Sequence, residues 1–160
     1  MSEPAPCSGA ASPDAAESLD PSIPALVGVM RIRQRLLDDL LPLLRPHGLS
    51  ESTYNALRIL RGAGENGLKC QEVGERLLTR VPDVTRLVDR LEQRDLVERL
   101  RCPNDRRVCY VRIRAEGLSL LEELDTEVDG LRRRCFGTLT ARDMRTFHKL
   151  LGKVLGESLV

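Results

Sequence analysis

Aromatic residues are scarce in this chain of 160 residues, which has no tryptophan. The four that are present are Tyr54, Tyr110, Phe136 and Phe147. Surfaces that stack the bases of single-stranded nucleic acid, and cages for cationic ligands, are built from several aromatic rings. The sequence therefore argues against both kinds of site.

Histidine is almost as rare, with residues only at positions 47 and 148, and none of the five cysteines forms a CxxC pair. Zinc sites need several Cys and His ligands at short spacing, and disulfide scaffolds usually have an even number of cysteines. We therefore predict no metal and no cofactor. The thiols suit a reducing compartment, which predicts a cytoplasmic protein.

Long apolar runs and catalytic motifs are also missing. No apolar run approaches the roughly 18 residues of a membrane span. A secretory signal begins with a positively charged region, but the first twenty residues contain no Lys or Arg. The chain has no GxSxG or HExxH motif, and its GxGxxG spacing, from Gly62 to Gly67, follows a helical pattern rather than a strand. We predict neither membrane association nor an enzyme.

The net charge of +1 conceals an uneven distribution. Residues 1–20 carry four acids and no base, whereas residues 76–114 carry eleven arginines and six acids, a surplus of +5. Such a basic segment favours a local surface that binds anions, although a solvated, salt-bridged surface is the alternative. We interpret residues 1–20 as a disordered acidic tail and residues 21–160 as a single domain.

Hydrophobic periodicity predicts that most of the chain is helical. Pro42 should kink or end the first helix. Ser50 should cap the second, and Thr140-x-x-Asp143 resembles a capping box at the start of the last. The predicted helices span about 22–45, 50–62, 70–78, 82–94, 115–136 and 140–158.

Two segments, Leu96–Cys102 and Val108–Arg114, alternate with period two and predict a β-hairpin with a basic tip. The predicted order of a helix, a short helix, a turn, a further helix and a hairpin is the order of elements in a winged helix-turn-helix. We therefore predict a mainly α fold with a small β-hairpin wing. The winged helix-turn-helix would cover about 49–114, and a helical dimerisation region would comprise about 22–46 and 115–158.

In such a fold the second helix of the turn motif fits the major groove of double-stranded DNA, and the wing reaches the backbone or minor groove. On that geometry Thr85, Arg86 and Arg90 project from the polar side of the recognition helix. Arg106 and Arg107 lie at the wing tip. A wing that binds an acidic protein is the alternative, but it would tend to expose apolar groups rather than arginines.

Several stretches together resemble the MarR family of dimeric bacterial transcriptional regulators, over about residues 24–158. They are Val84–Arg94 with Leu96–Arg99, Asp105-Arg106-Arg107 with Val111-x-Ile113 and Gly117, and His47–Ser50. The resemblance implies a homodimer that acts as a sequence-specific regulator, in most cases a repressor. It also implies that Arg107 enters the minor groove, that Asp105 orients the wing-tip arginine, and that a small aromatic or phenolic effector releases the DNA.

The chain departs from the family at three helix N-caps, where Ser or Thr is usual and Lys69, Arg80 and Arg114 stand instead. Lys69 and Arg80 would then contact phosphates. The equally favoured alternative is that the caps are shifted along the chain, for instance to Thr79 or Asp83. Asp83 would either accept a hydrogen bond from a cytosine amine or act only as a cap.

The wing contains two cysteines, Cys102 and Cys109. If apolar matching sets the hairpin register, Leu100 faces Val111 and Cys102 faces Cys109. Opposed thiols would allow a disulfide, and hence a regulator that responds to oxidation. The alternative is two reduced, small hydrophobic side chains, and a slip of one residue would remove the pairing altogether.

Overall fold

The computed structural model describes residues 20–101 and 109–156. The wing-tip residues Asp105, Arg106 and Arg107, together with Cys102, lie outside these ranges. The elements within them are α1 (Ser22–Leu44), α2 (Glu51–Ala63), β1 (Leu68–Lys69), α3 (Cys70–Arg76), α4 (Val84–Glu92), β2 (Val97–Arg101), β3 (Cys109–Ile113), α5 (Ala115–Phe136) and α6 (Ala141–Leu155). None of the helices in the described ranges has the length and apolar character needed to cross a membrane.

The first helix continues two residues beyond Pro42 and ends at Leu44. Pro42 removes one backbone donor but does not end the helix; it lies within the last turn, and Leu43 and Leu44 follow it. A 3-10 turn over Arg45–His47 follows, and Gly48, with φ of 61°, closes the segment, so the helix ends one residue before the predicted end at about 45. The chain divides into two compact units within α1, after Arg35.

Two predicted helix starts are confirmed by their capping hydrogen bonds. The Ser50 hydroxyl accepts from the Thr53 amide at 3.2 Å, and the Thr53 hydroxyl accepts from the Ser50 amide at 2.8 Å. At α6 the Thr140 hydroxyl accepts from the Asp143 amide at 3.2 Å, and the Asp143 carboxylate accepts from the Thr140 amide at 3.0 Å. Both are reciprocal capping boxes.

The sheet has three antiparallel strands in the order β1-β3-β2, not the two of the predicted hairpin. β1 contributes only two residues, which is too short for a periodic signal. It lies close to β3 because Gly67, with φ of 62°, has no side chain; a Cβ there would overlap the Val111 carbonyl oxygen. The predicted wing is therefore widened by a strand ahead of α3.

The predicted register of the hairpin is wrong by one residue. Leu100 pairs with Tyr110 rather than Val111, and Arg101 rather than Cys102 pairs with Cys109. The reason is Arg99, which lies opposite Val111 on the core side of β2 because its guanidinium pairs with two carboxylates of α4. Matching apolar residues across the strands therefore gave the wrong pairs, and the premise for a Cys102–Cys109 disulfide is removed.

One hydrophobic core joins the sheet to helices α2 to α5 and to the end of α1. Each fully buried Leu contributes about 1.5–3 kcal/mol relative to an exposed one. This packing fixes α4 against the sheet. Among the described residues, the largest fully buried side chains are Leu44, Leu57, Leu60, Val73, Leu87, Val88, Leu91, Val97, Val111, Leu121 and Leu124.

Candidate nucleic-acid interface

Helix α4 has one apolar and one polar side. Leu87, Val88 and Leu91 are buried in the core, and the predicted contact residues Thr85, Arg86 and Arg90 are exposed. The difference follows from the spacing, because residues three and four apart share a helix face. Asp83, Arg86 and Arg90 also line one surface groove of about 560 Å³, with Val81, Pro82, Asp89 and Gln93.

Asp83 is the N-cap of α4, and its carboxylate accepts from the Arg86 amide at 3.0 Å. A second oxygen of the same carboxylate lies 3.1 Å from Arg86 Nε. The cap is therefore shifted to Asp83, and Arg80 is not a cap. Pro82 explains the shift, because a residue that precedes proline, here Val81, is disfavoured in the helical conformation.

The connector between α3 and α4, Leu77–Asp83, has seven residues, against the usual three or four, roughly, of this motif. It is anchored at its beginning, where Leu77 is buried and the Leu78 amide donates to Asn55 Oδ1 of α2 at 2.9 Å. Arg80 is exposed on this anchored connector.

Lys69 is exposed and occupies the N-cap position of α3, as predicted. A lysine side chain has no acceptor for the helix amides. Instead, the Glu72 carboxylate accepts from the Lys69 amide at 2.9 Å. Arg114 likewise stands at the N-cap of α5 without a capping hydrogen bond from its side chain, and its guanidinium pairs with Asp95 at 2.9 Å.

A partly buried ion-pair cluster joins α4 to β2. Arg99 of β2 lies 2.6 Å from the Asp89 carboxylate and 2.5 Å from that of Glu92, and it donates to the Thr85 carbonyl at 3.2 Å. Desolvation lowers the pKa of Arg99, but the hydrogen bonds and charges of Asp89 and Glu92 outweigh it, so the pKa is raised. The orientation of α4 relative to the wing strands is held by these contacts.

The sequence analysis did not predict this ion-pair cluster, although the sequence contains a pattern that indicates it. Arg99 occupies a core-side position of β2, on the same face as the buried Val97 two residues before it. Asp89 and Glu92 are three residues apart in α4 and so share one side of that helix. An arginine on a buried strand face needs such partners.

Thr85 is exposed at the start of α4, and its side chain acts to lower the pKa of the Cys70 thiol of α3. Burial raises the pKa of that thiol, and the nearby guanidinium of Arg99 acts in the opposite direction. Cys109 of β3 acts in the same direction as burial on that pKa.

The comparisons with known proteins agree on one family. The MarR family matches residues 49–109, which run from before α2 to the start of β3. The transcriptional regulator FarR of Neisseria gonorrhoeae, described as HTH-type, is 32% identical over 104 residues, which cover 64% of this chain and 69% of FarR.

Two solved structures share the fold along most of their length. A cysteine-to-serine mutant of E. coli MarR, in complex with operator DNA, is 28% identical with a TM-score of 0.72, and the match covers 84% of this chain and 95% of that one. NadR in complex with 4-hydroxyphenylacetate is 27% identical with a TM-score of 0.67, covering 80% and 89%.

Proposed function

Because the chain belongs to the MarR family of transcriptional regulators, we propose that it binds double-stranded DNA in a sequence-specific way through α4 and the wing. The observation that carries this proposal is the exposed side of α4, where Arg86 and Arg90 line one groove and the helix is fixed to β2 by Arg99. A rigid helix with basic side chains one turn apart fits the major groove.

The roles of the individual residues follow from this docking. Arg86, with 84% of its side chain exposed, and Arg90 would contact base edges, where arginine pairs with guanine. Thr85 lies in the first turn of the same helix. Asp83 precedes this turn and serves mainly as the N-cap of the helix and as the partner of Arg86. Lys69 and Arg80 would contact phosphates, which position the protein without specifying sequence.

The wing tip completes the interface in this proposal. Arg107 would enter the minor groove, where a narrow groove has an enhanced negative potential. Asp105 would orient the wing-tip arginine, and Arg106 would lie beside it. Support for these roles comes from the resemblance of Asp105-Arg106-Arg107 to the family's wing, since these three residues lie outside the described ranges.

We also propose a homodimer, which acts in the cytoplasm. Its support is apolar surface that one chain leaves open on its terminal helices: on α1 these residues are Ile23, Leu26, Val27, Val29 and Met30, and on α6 they are Leu150, Val154 and Leu155. A two-fold partner would bury such surface. Two recognition helices would then read a pseudo-palindrome with half-site centres roughly 10 bp apart.

The regulator would act as a repressor that a small aromatic or phenolic effector releases from its operator. The support is NadR, a similar structure that contains 4-hydroxyphenylacetate. An effector can release DNA only if it binds the conformation that lacks DNA more tightly. With four aromatic residues in the chain, stacking would contribute little to binding it.

The test is a selection from a random library of duplexes at about 150 mM salt, where non-specific phosphate attraction is weakened. We expect enrichment of a site with two-fold symmetry, to which the protein then binds as a dimer. If the folded protein enriches no sequence, sequence-specific binding is contradicted. A wing that binds acidic proteins would then be the better interpretation.

A further inference from the structure

The two arginines on the exposed side of α4 differ in how much freedom they have. Asp83 contacts Arg86 twice: one carboxylate oxygen accepts from the backbone amide at 3.0 Å, and the other lies 3.1 Å from Nε. Arg90, one turn later, is exposed and forms no ion pair with any other described residue. The guanidinium of Arg86 is therefore restrained, whereas that of Arg90 is not.

The contact at Nε leaves the outer edge of the Arg86 guanidinium available. Because the guanidinium is planar and rigid, holding Nε also restricts the directions in which the two Nη groups can donate. In the major groove, the O6 and N7 atoms of guanine are the acceptors that such a pair of donors matches. An unrestrained arginine can turn to phosphate oxygens instead, which carry no sequence information.

The Asp83 carboxylate also has acceptor capacity to spare. It has about four lone-pair sites, of which Arg86 takes two, and 45% of the side chain is exposed. A carboxylate accepts hydrogen bonds only, so it is repelled by the acceptors that guanine and thymine present in the major groove. Cytosine offers the N4 donor alone, whereas adenine has the acceptor N7 beside its N6 donor. Cytosine is therefore the base that suits Asp83.

We propose that Asp83 determines part of the sequence specificity in two ways. It positions Arg86 so that this arginine accepts only guanine as its partner, and it accepts a hydrogen bond from N4 of a cytosine beside that guanine. Each half-site would thus contain a guanine and a cytosine that depend on Asp83, and a second guanine, contacted by Arg90, that does not. This inference rests on the proposed function, because it assigns bases to the same helix.

The negative charge of Asp83 has a further effect on binding. The attraction of a protein to phosphates does not depend on sequence, and an acidic group on the DNA-facing side of α4 opposes it. A neutral cap at this position should therefore raise the affinity for a scrambled duplex while it lowers selectivity. A residue that acted only as an N-cap would produce neither change.

The test compares the wild type with Asp83→Ser and Asp83→Asn, which both keep an acceptor at the N-cap. Selections with Arg86→Ala and Arg90→Ala first identify the guanine that each arginine contacts. Affinities are then measured for duplexes with one base pair changed. Replacing the Arg86 guanine should weaken wild-type binding by about 5- to 150-fold. Asp83→Ser should reduce this penalty by about fivefold or more, the lower end of that range.

The guanine contacted by Arg90 is the internal control, since its penalty should be the same in all three proteins. Asp83→Asn places an amide donor beside the acceptor, so its preference should move from cytosine toward bases that present an acceptor. Both variants should bind the scrambled duplex more tightly than the wild type does.

An unchanged penalty at the Arg86 guanine in both variants would overturn the positioning role and leave Asp83 as a cap. Equal reductions at both guanines would also overturn it, because they would indicate a general loosening of α4. A cytosine preference that persists in Asp83→Asn would overturn the direct contact. A wild type that selects no duplex would instead contradict the proposed function itself.

Discussion

The guanidinium of Arg99 lies 2.6 Å from the carboxylate of Asp89, and this ion pair joins a wing strand to the helix with the candidate DNA contacts. Only 23% of the Arg99 side chain is exposed, so the pair is less screened by water than a surface ion pair. The same arginine sets the register of the hairpin. One residue therefore links the geometry of the sheet to the orientation of α4.

We predict that Arg99→Ala destabilises the fold by about 1–3 kcal/mol, because it leaves Asp89 and Glu92 with an unpaired, partly buried charge. Urea denaturation measures this loss. In a double-mutant cycle with Asp89→Ala, the two changes should be clearly non-additive. Arg132→Ala is the matched control, since its pair with Asp129 is exposed and should contribute less than about 1 kcal/mol. Additive losses in the cycle would contradict the coupling of strand and helix.

Asp83→Ala should cost about 1 kcal/mol, because the first turn of α4 loses its N-cap. Asp83→Ser keeps an acceptor at the cap and should retain most of that stability. Denaturation midpoints of the two variants separate capping from charge. If the serine variant is as unstable as the alanine variant, the carboxylate matters through its ion pair with Arg86 instead.

Gly117→Ala should destabilise the protein by about 1–3 kcal/mol through overpacking. A Cβ at this position of α5 would overlap the Leu96 carbonyl oxygen and lie 2.8 Å from Ile113 Cγ1, so backbone would have to move. Gly62 of α2 is the matched control, since nothing lies within 4 Å of its Cβ position. Gly62→Ala should be neutral or slightly stabilising in thermal unfolding, and equal losses in both variants would refute the steric explanation.

Asp125→Asn should remove a stabilising term that depends on pH. Hydrogen bonds from Arg61, at 2.7 and 3.2 Å, lower the pKa of Asp125 below its ordinary value of 3.8. A carboxyl whose pKa is lower in the folded state stabilises the fold above 3.8, and this contribution is lost as the pH falls through the folded pKa.

Because the Asp125 side chain is 47% exposed, we expect a difference of only about 0.5 kcal/mol at neutral pH. Urea unfolding of the wild type and the variant at neutral pH and at about pH 2 measures it. The difference should shrink at the lower pH. A constant difference would mean that the substituted amide disturbs packing rather than charge.

The helices could be predicted from the sequence because their signals are local. Periodic apolar residues marked α2 and α5, and the hydroxyls of Ser50 and Thr140 marked two helix starts. Asp83 was one of two alternatives for a shifted cap, and Pro82 is the local reason that it holds.

The sheet could not be predicted fully, because its register depends on contacts between distant residues. A pattern of apolar and polar residues assigns a charged residue such as Arg99 to the solvent side of a strand. Its partners in α4 place it on the core side of β2 instead. β1 has no pattern of its own and forms only because Gly67 permits a close approach to β3. The roles assigned to Lys69, Arg80, Thr85, Arg86, Arg90 and the wing tip stay predictions, since DNA would have to be present to test them.

The most direct test of the account is the affinity of the wild type, Arg86→Ala and Arg90→Ala for the selected duplex and for a scrambled one, across a series of salt concentrations. We predict that the wild type prefers the selected duplex by about a thousandfold or more. Each variant should lose about 1–3 kcal/mol on the selected duplex, whereas Arg132→Ala should bind as the wild type does. Variants that match the wild type on both duplexes, with the same salt dependence, would contradict a DNA-binding role for α4.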